Sequence, residues 1–160
     1  MRAELINPFL QAATEVLGSE LGSAPRRGSI GLQRSAQTSD EVTAVVAVTG
    51  SVAGMVIFAM TEATATAIVS RMLGQDFPQF DALAQSGIAE LGNVITGRAA
   101  VLLAEAGLES EIAPPMLLLG RGAQISTLDV QRLVIPLETD VGQVEIQVAL
   151  KPAAAARKAA

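Results

Sequence analysis

The sequence predicts an α/β domain of the α+β type: a mostly antiparallel sheet with helices, one of them long and central, packed against it. Three observations carry that expectation. Residues 81–106 keep a helical apolar period over a length far above that of a typical helix. Two pairs of β-rich runs, 42–49 with 55–60 and 130–138 with 144–150, read as hairpins. The order helix, strands, helix, then long helix and strands is a loose two-fold echo.

From the start, Asn7-Pro8 is expected to open the first helix, with Asn as cap and Pro at the first helical position. Phe9, Leu10, Ala13, Val16, Leu17 and Leu21 then recur at helical spacing. Residues 23–28 read as a loop, and Ile30-Gly31-Leu32 as the beginning of a strand. The first hairpin turns at Gly50-Ser51-Val52-Ala53-Gly54. Thr61 caps a short helix that has Glu62 in its first turn and Gly74 as its stop. After a connector containing Pro78, the long helix runs from about Asp81 to Ala106 and ends at Gly107. Glu109–Ala113 and Met116–Leu119 are short extended pieces around Pro114-Pro115. In the last strand Val144, Ile146 and Val148 alternate with Glu145 and Gln147, a half-buried pattern. Pro136 cannot donate to a ladder, so its strand is expected at an edge or a bulge. The division is one domain over 1–150 and a disordered, Ala-rich basic tail over 151–160.

Composition narrows the chemistry. The chain has 160 residues, enough for one real core, and its apolar half is almost entirely aliphatic, with 2% aromatics. It contains no cysteine and no histidine, which removes thiol nucleophiles, imidazole acid–base work and the usual zinc sites. The net charge is −5, and every lysine lies in the tail, a balance that argues against nucleic-acid binding. Apolar runs are interrupted by Thr, Gly, Ser or charges, so no membrane span is expected. No phosphate-cradling glycine motif occurs. A soluble, cytoplasmic domain is the resulting expectation.

Within the long helix, Ser86, Glu90 and Asn93 fall within roughly 60° of one another. Ile88, Leu91, Ile95, Ala99, Leu102 and Ala106 form the opposite, apolar stripe. The outer face thus carries a carboxylate one turn from a carboxamide. Ala89, Gly97, Ala100 and Ala104 raise no bulk around the pair. Asn and Gly are poor interior helix residues, so their presence suggests a use. A second Glu-x-x-Asn, Glu4 to Asn7, serves as a control. Asn7 precedes a proline, which disfavours helical geometry, so this pair is not expected to share a helix face.

Ser86-x-x-x-Glu90-x-x-Asn93 resembles the D/S-x-x-x-E-x-x-N signature of the CheC/CheX/FliY family of response-regulator phosphatases. Ile6-Asn7-Pro8-Phe9, Thr49-Gly50-Ser51-Val52-Ala53-Gly54-Met55-Val56 and Ile112-Ala113-Pro114-Pro115 are similar to the CheX branch, in the same order. The resemblance implies pseudo-symmetric halves, with the signature in the second half only. It implies hydrolysis of the aspartyl phosphate of a CheY-type receiver domain. Asn93 would orient the attacking water, Glu90 would pair with the receiver's lysine, Ser86 would support docking or the helix start, and Gly97 would support docking. No cofactor of the chain's own is implied; Mg²⁺ is expected on the receiver. A cytoplasmic homodimer is implied too. Arg98 departs from the short side chain expected after Gly97, and it either borders the contact or pairs with Glu105. The alternative reading is a non-catalytic receiver-binding or flagellar-switch-type module of the same fold.

Overall fold

The computed structural model describes residues 3–33, 37–38, 40–127 and 130–153. Among the described residues three helices, α1 (Ala3–Leu21), α2 (Glu62–Leu73) and α3 (Ala82–Glu105), cover one face of a sheet. Its hairpins are β4 (Val42–Gly50) with β5 (Val52–Met60), and β9 (Arg132–Thr139) with β10 (Gly142–Pro152). The outer strands are each broken in two: β1 (Arg26–Arg27) and β2 (Gly31–Gln33) both pair with β9, while β6 (Ser110–Ile112) and β7 (Met116–Leu119) both pair with β4. A separate two-stranded piece joins β3 (Gln37–Thr38) to β8 (Gln124–Ile125). Every pairing is antiparallel, and β5 meets β10 at the centre.

The expected elements are present, with instructive differences. The first helix begins at Ala3, not at Asn7-Pro8, and carries Pro8 in its interior. A proline there costs about 3 kcal/mol. Leu5 and Ile6 are 1% and 8% exposed, and burying two such side chains contributes about 1.5–3 kcal/mol each. Packing therefore outweighs the local preference. Glu4 and Asn7 consequently lie on one helix, both exposed, and the sequence-based ground for separating them does not hold.

Two further corrections concern the sheet. Gly54 is no turn residue; it sits inside β5 opposite Leu150, with φ +144°. Pro136 lies in β9, an interior strand between β10 and the broken outer strand. Its carbonyl accepts from Gly28 N at 2.8 Å, so its missing N–H points at the gap between β1 and β2, where the neighbouring strand itself departs from register. The last strand takes in Lys151 and Pro152, paired with Ala53 and Val52, two residues beyond the end expected from the sequence. Residues 154–160 of the predicted tail lie outside the described residues.

The helices and the inner sheet face share one core, built from aliphatic side chains and Phe9, Phe58 and Phe77. On the other sheet face Arg132 is fully buried, donating from Nη1 to Gln147 Oε1 at 3.2 Å and from Nη2 to Ile125 O. Burial lowers its pKa from the ordinary arginine value, and the two hydrogen bonds tie the β3–β8 piece to β9 and β10. By length and composition α3 is long and apolar enough to cross a membrane, contrary to the sequence-based expectation. In the fold its apolar side is spent on packing against α1, α2 and β4.

Gly54 makes the central pairing testable. A Cβ there would collide with the Ala149 carbonyl of β10, on a backbone conformation that side chains rarely adopt. Gly54→Ala is expected to lower unfolding stability by more than about 2 kcal/mol, read from urea denaturation curves.

Candidate functional site

Asp81 caps α3, its carboxylate accepting from Ala84 N at 2.9 Å. The helix then turns Ile88, Leu91, Ile95, Ala99 and Leu103 into the core, each 3% exposed or less. The expected stripe thus holds through Ala99 and continues on Leu103; Leu102 is only half-buried and Ala106 is exposed. Gly87 lets α2 approach, since a Cβ there would stand 2.9 and 3.0 Å from the Val69 methyls. Thr96, fully buried, returns its hydroxyl proton to Gly92 O at 2.6 Å, so its polarity is satisfied within the helix.

With that rotational phase fixed, Ser86, Glu90, Asn93 and Gly97 all emerge on the exposed side. Ser86, Glu90 and Asn93, with Ala89, form one wall of an open groove of about 370 Å³. Ile112, Pro114 and Pro115 form the other. The sequence-predicted residues are therefore brought together except Gly97, which lies one turn farther along and outside the groove. Ser86 does not start the helix, a role that Asp81 fills; it lines the groove instead. Among the described residues, neither the Glu90 carboxylate nor the Asn93 carboxamide takes a hydrogen-bond partner.

The proline wall was missed as part of the site, although its residues were visible. Ile112 pairs with Val48 and Met116 with Val45, so Ala113-Pro114-Pro115 faces only Val46-Ala47. One extra residue bulges out of the edge strand. Ala113 N still donates to Ala47 O at 3.0 Å. The two prolines have no N–H to offer, and the displaced segment leans over the groove. A Pro-Pro pair beside an edge strand was the available signal.

Arg98 stays clear of this groove. Its Nε donates to Glu15 Oε2 of α1 at 2.9 Å, while Gln11 Nε2 donates to Glu15 Oε1, also at 2.9 Å. The pairing expected with Glu105 is replaced by a cross-helix one. The Arg98 hydrogen bond, then that of Gln11, holds the Glu15 carboxyl below the usual carboxylate range; Glu15 in turn raises the Arg98 pKa.

Chemically, the groove offers a carboxylate, a carboxamide and a hydroxyl against an apolar, rigid wall. Among the described residues no three acidic side chains converge into a metal site. An amide with both an acceptor and donors suits the orientation of a small polar molecule such as water.

The family description "Chemotaxis phosphatase CheX" matches residues 42–138. A CheY-P phosphatase CheX from Thermotoga maritima is 30% identical over 131 residues, covering 81% of this chain and 84% of that protein. The chain belongs to the CheX family. The crystal structure of a CheC-like superfamily protein from Shewanella sp. PV-4 superposes with a TM-score of 0.85 at 25% identity, covering 94% of this chain and 99% of that one. The Borrelia burgdorferi CheX–CheY–BeF3–Mg²⁺ complex contains a chain similar at TM-score 0.79 and 28% identity, covering 94% and 99%. In this CheX-family chain, then, the open α/β fold with its long helix is that of its relatives.

Two outcomes follow from the geometry. Gly97 is exposed and a Cβ there meets no atom within 4 Å, so Gly97→Ala is expected to raise stability by about 0.5–1 kcal/mol through helix propensity, measured by thermal or urea unfolding. The depressed Glu15 pKa means that the Arg98 pair stabilises the fold at neutral pH and is lost as pH falls through the folded-state pKa, below 4.5. An NMR titration of the Glu15 carboxyl is expected to move up toward 4.5 in Arg98→Gln.

Proposed function

We propose that this chain is a phosphatase that hydrolyses the aspartyl phosphate of a CheY-type receiver domain, as the name of its Thermotoga maritima relative says of that protein. The observation that carries the reading is the pairing of Glu90 and Asn93, both outward and without hydrogen-bond partners among the described residues, in a groove that another protein can enter. An acyl phosphate is already labile. Its hydrolysis needs a water held in line with phosphorus: the new P–O bond forms to the water oxygen as the bond to the aspartyl oxygen breaks. A free carboxylate and inorganic phosphate are left, and the water's protons pass to the phosphate and solvent. Positioning alone supplies much of such a barrier reduction.

In this proposal Asn93 enters the receiver's site and orients the water by its carboxamide. Glu90 pairs with the receiver's lysine and sets the register of docking. Ser86 and Gly97 belong to the contact surface. The Mg²⁺ sits on the receiver, consistent with its presence in the Borrelia CheX–CheY complex, and this chain adds no cofactor of its own. We place the protein in the cytoplasm, where receivers work, and as a homodimer; sedimentation equilibrium tests the dimer. The absence of histidine and cysteine is no obstacle to this mechanism.

The test is the lifetime of a phosphorylated receiver from the same organism. Wild type is expected to shorten it. Asn93→Ala is expected to lower kcat about 10²–10³-fold, the scale on which a single positioned polar group acts. Glu90→Ala is expected to act mainly through KM. Binding of the phosphoreceiver with no change in its lifetime would favour the non-catalytic module.

A further inference from the structure

The outer face of α3 continues past the Glu90/Asn93 pair as an apolar strip. Val94 is 43% exposed and Val101 49% exposed, and Gly97 lies between them. Spacings of three and four residues keep all three on one line of helix surface, within roughly 60° of Glu90. Gly97 has a helical backbone and no neighbour that a methyl group would touch. The fold therefore gives no packing reason for a glycine at a position where alanine would make a better helix.

The two-fold echo supplies an internal control. The 86 residues that separate Glu4 from Glu90 also separate Asn7 from Asn93, Gln11 from Gly97 and Glu15 from Val101. The same offset carries β2 into β7. On α1 these last two positions are occupied by polar side chains that bond to each other and to Arg98. On α3 they are a bare glycine and an exposed valine. Only one of the two equivalent helix faces is left apolar and open, and it is the one beside the groove.

Size determines what covers it. A specific protein contact covers about 800 Å² on each partner, a disc of roughly 16 Å radius. Val101 is eight residues from Asn93, about 12 Å along the helix axis. A receiver footprint centred on Asn93 would cover the strip as well.

We propose that Val94 and Val101, with the Gly97 notch between them, are the specificity-determining strip of the docking surface. The notch admits an aliphatic side chain of the docked receiver. This rests on the reading that a phosphorylated receiver docks at Asn93. The strip selects the partner and takes no part in bond breaking.

The experiment compares wild type, Val101→Lys, Gly97→Leu and Asn93→Ala, all full-length and checked for helical circular dichroism. Binding is titrated with a beryllofluoride-loaded receiver, which cannot turn over, and hydrolysis is followed with the phosphorylated one. Val101→Lys and Gly97→Leu are expected to raise Kd and KM tenfold or more while kcat at saturation stays within about twofold. Asn93→Ala is expected to do the reverse, losing kcat with Kd little changed. Kd within twofold of wild type in both strip variants would overturn the proposal. So would sedimentation showing that Val101→Lys separates a dimer while receiver affinity is retained, because a second copy would then be the occupant. If wild type binds the loaded receiver but does not hydrolyse phosphate, the phosphatase reading fails and the Kd comparison still decides the strip. If wild type does not bind, both fail.

Discussion

The rotational phase of α3 is the constraint from which the rest follows. Five aliphatic residues, Ile88, Leu91, Ile95, Ala99 and Leu103, are sunk into the core, and Gly87 is pressed against Val69 of α2. Turning the helix by even one residue, about 100°, would lift several of these out of contact at about 1.5–3 kcal/mol each. Domain stability as a whole is only about 5–15 kcal/mol, so the phase is effectively locked. Glu90 and Asn93 face outward because the opposite side of their own helix has nowhere else to go. The precision of the site is borrowed from the core.

The sheet secures the other wall by an exchange between the two halves. The outer strands of the first half, β1 and β2, pair with β9 of the second; those of the second half, β6 and β7, pair with β4 of the first. Neither half can complete its sheet alone. The exchange also brings the β6–β7 break, and hence Pro114 and Pro115, alongside α3. The symmetry is broken where it matters. The α1 face equivalent to the groove's continuation is filled with Gln11 and Glu15, and it ends in the clasp to Arg98. That clasp draws the Arg98 guanidinium onto the other helix.

Much of this was legible in the sequence, and for physical reasons. The cap Thr61 and the stop at Gly74 are local signals, and α2 and α3 begin and end within a residue of expectation. The outward face of α3 follows from its periodicity, so spacing alone puts Glu90 and Asn93 on the exposed side. What failed depended on distant partners. Pro8 looked like a helix start because the burial of Leu5 and Ile6 is tertiary. Gly54 looked like a turn residue because the carbonyl of Ala149 that excludes a side chain is nearly a hundred residues away. Pro136 marks an edge or a bulge by sequence; its strand is interior, and the one-residue slip opposite it, between Arg27↔Leu137 and Gly31↔Val134, lies in the neighbouring strand. Arg98 reads from the sequence as bordering the contact or pairing with Glu105 on its own helix, whereas its ion pair is with Glu15 on α1.

The same distinction explains how so plain a residue set would serve the proposed hydrolytic site. A nucleophile or a general base must be tuned by its neighbours, usually by burial or by a paired charge. A carboxamide needs no tuning. It has no proton to lose near neutral pH, and its acceptor and donors are fixed by its own covalent geometry. What it requires from the protein is a fixed place, and a long helix locked by its aliphatic side supplies one. An exposed amide on a rigid helix can be carried into another protein's active site, where the charge, the metal and the labile bond already are. In the proposed mechanism this division of labour suits a chain whose core is ordinary, whose groove offers a hydroxyl, a carboxylate and a carboxamide, and whose helix face beyond them is apolar and exposed.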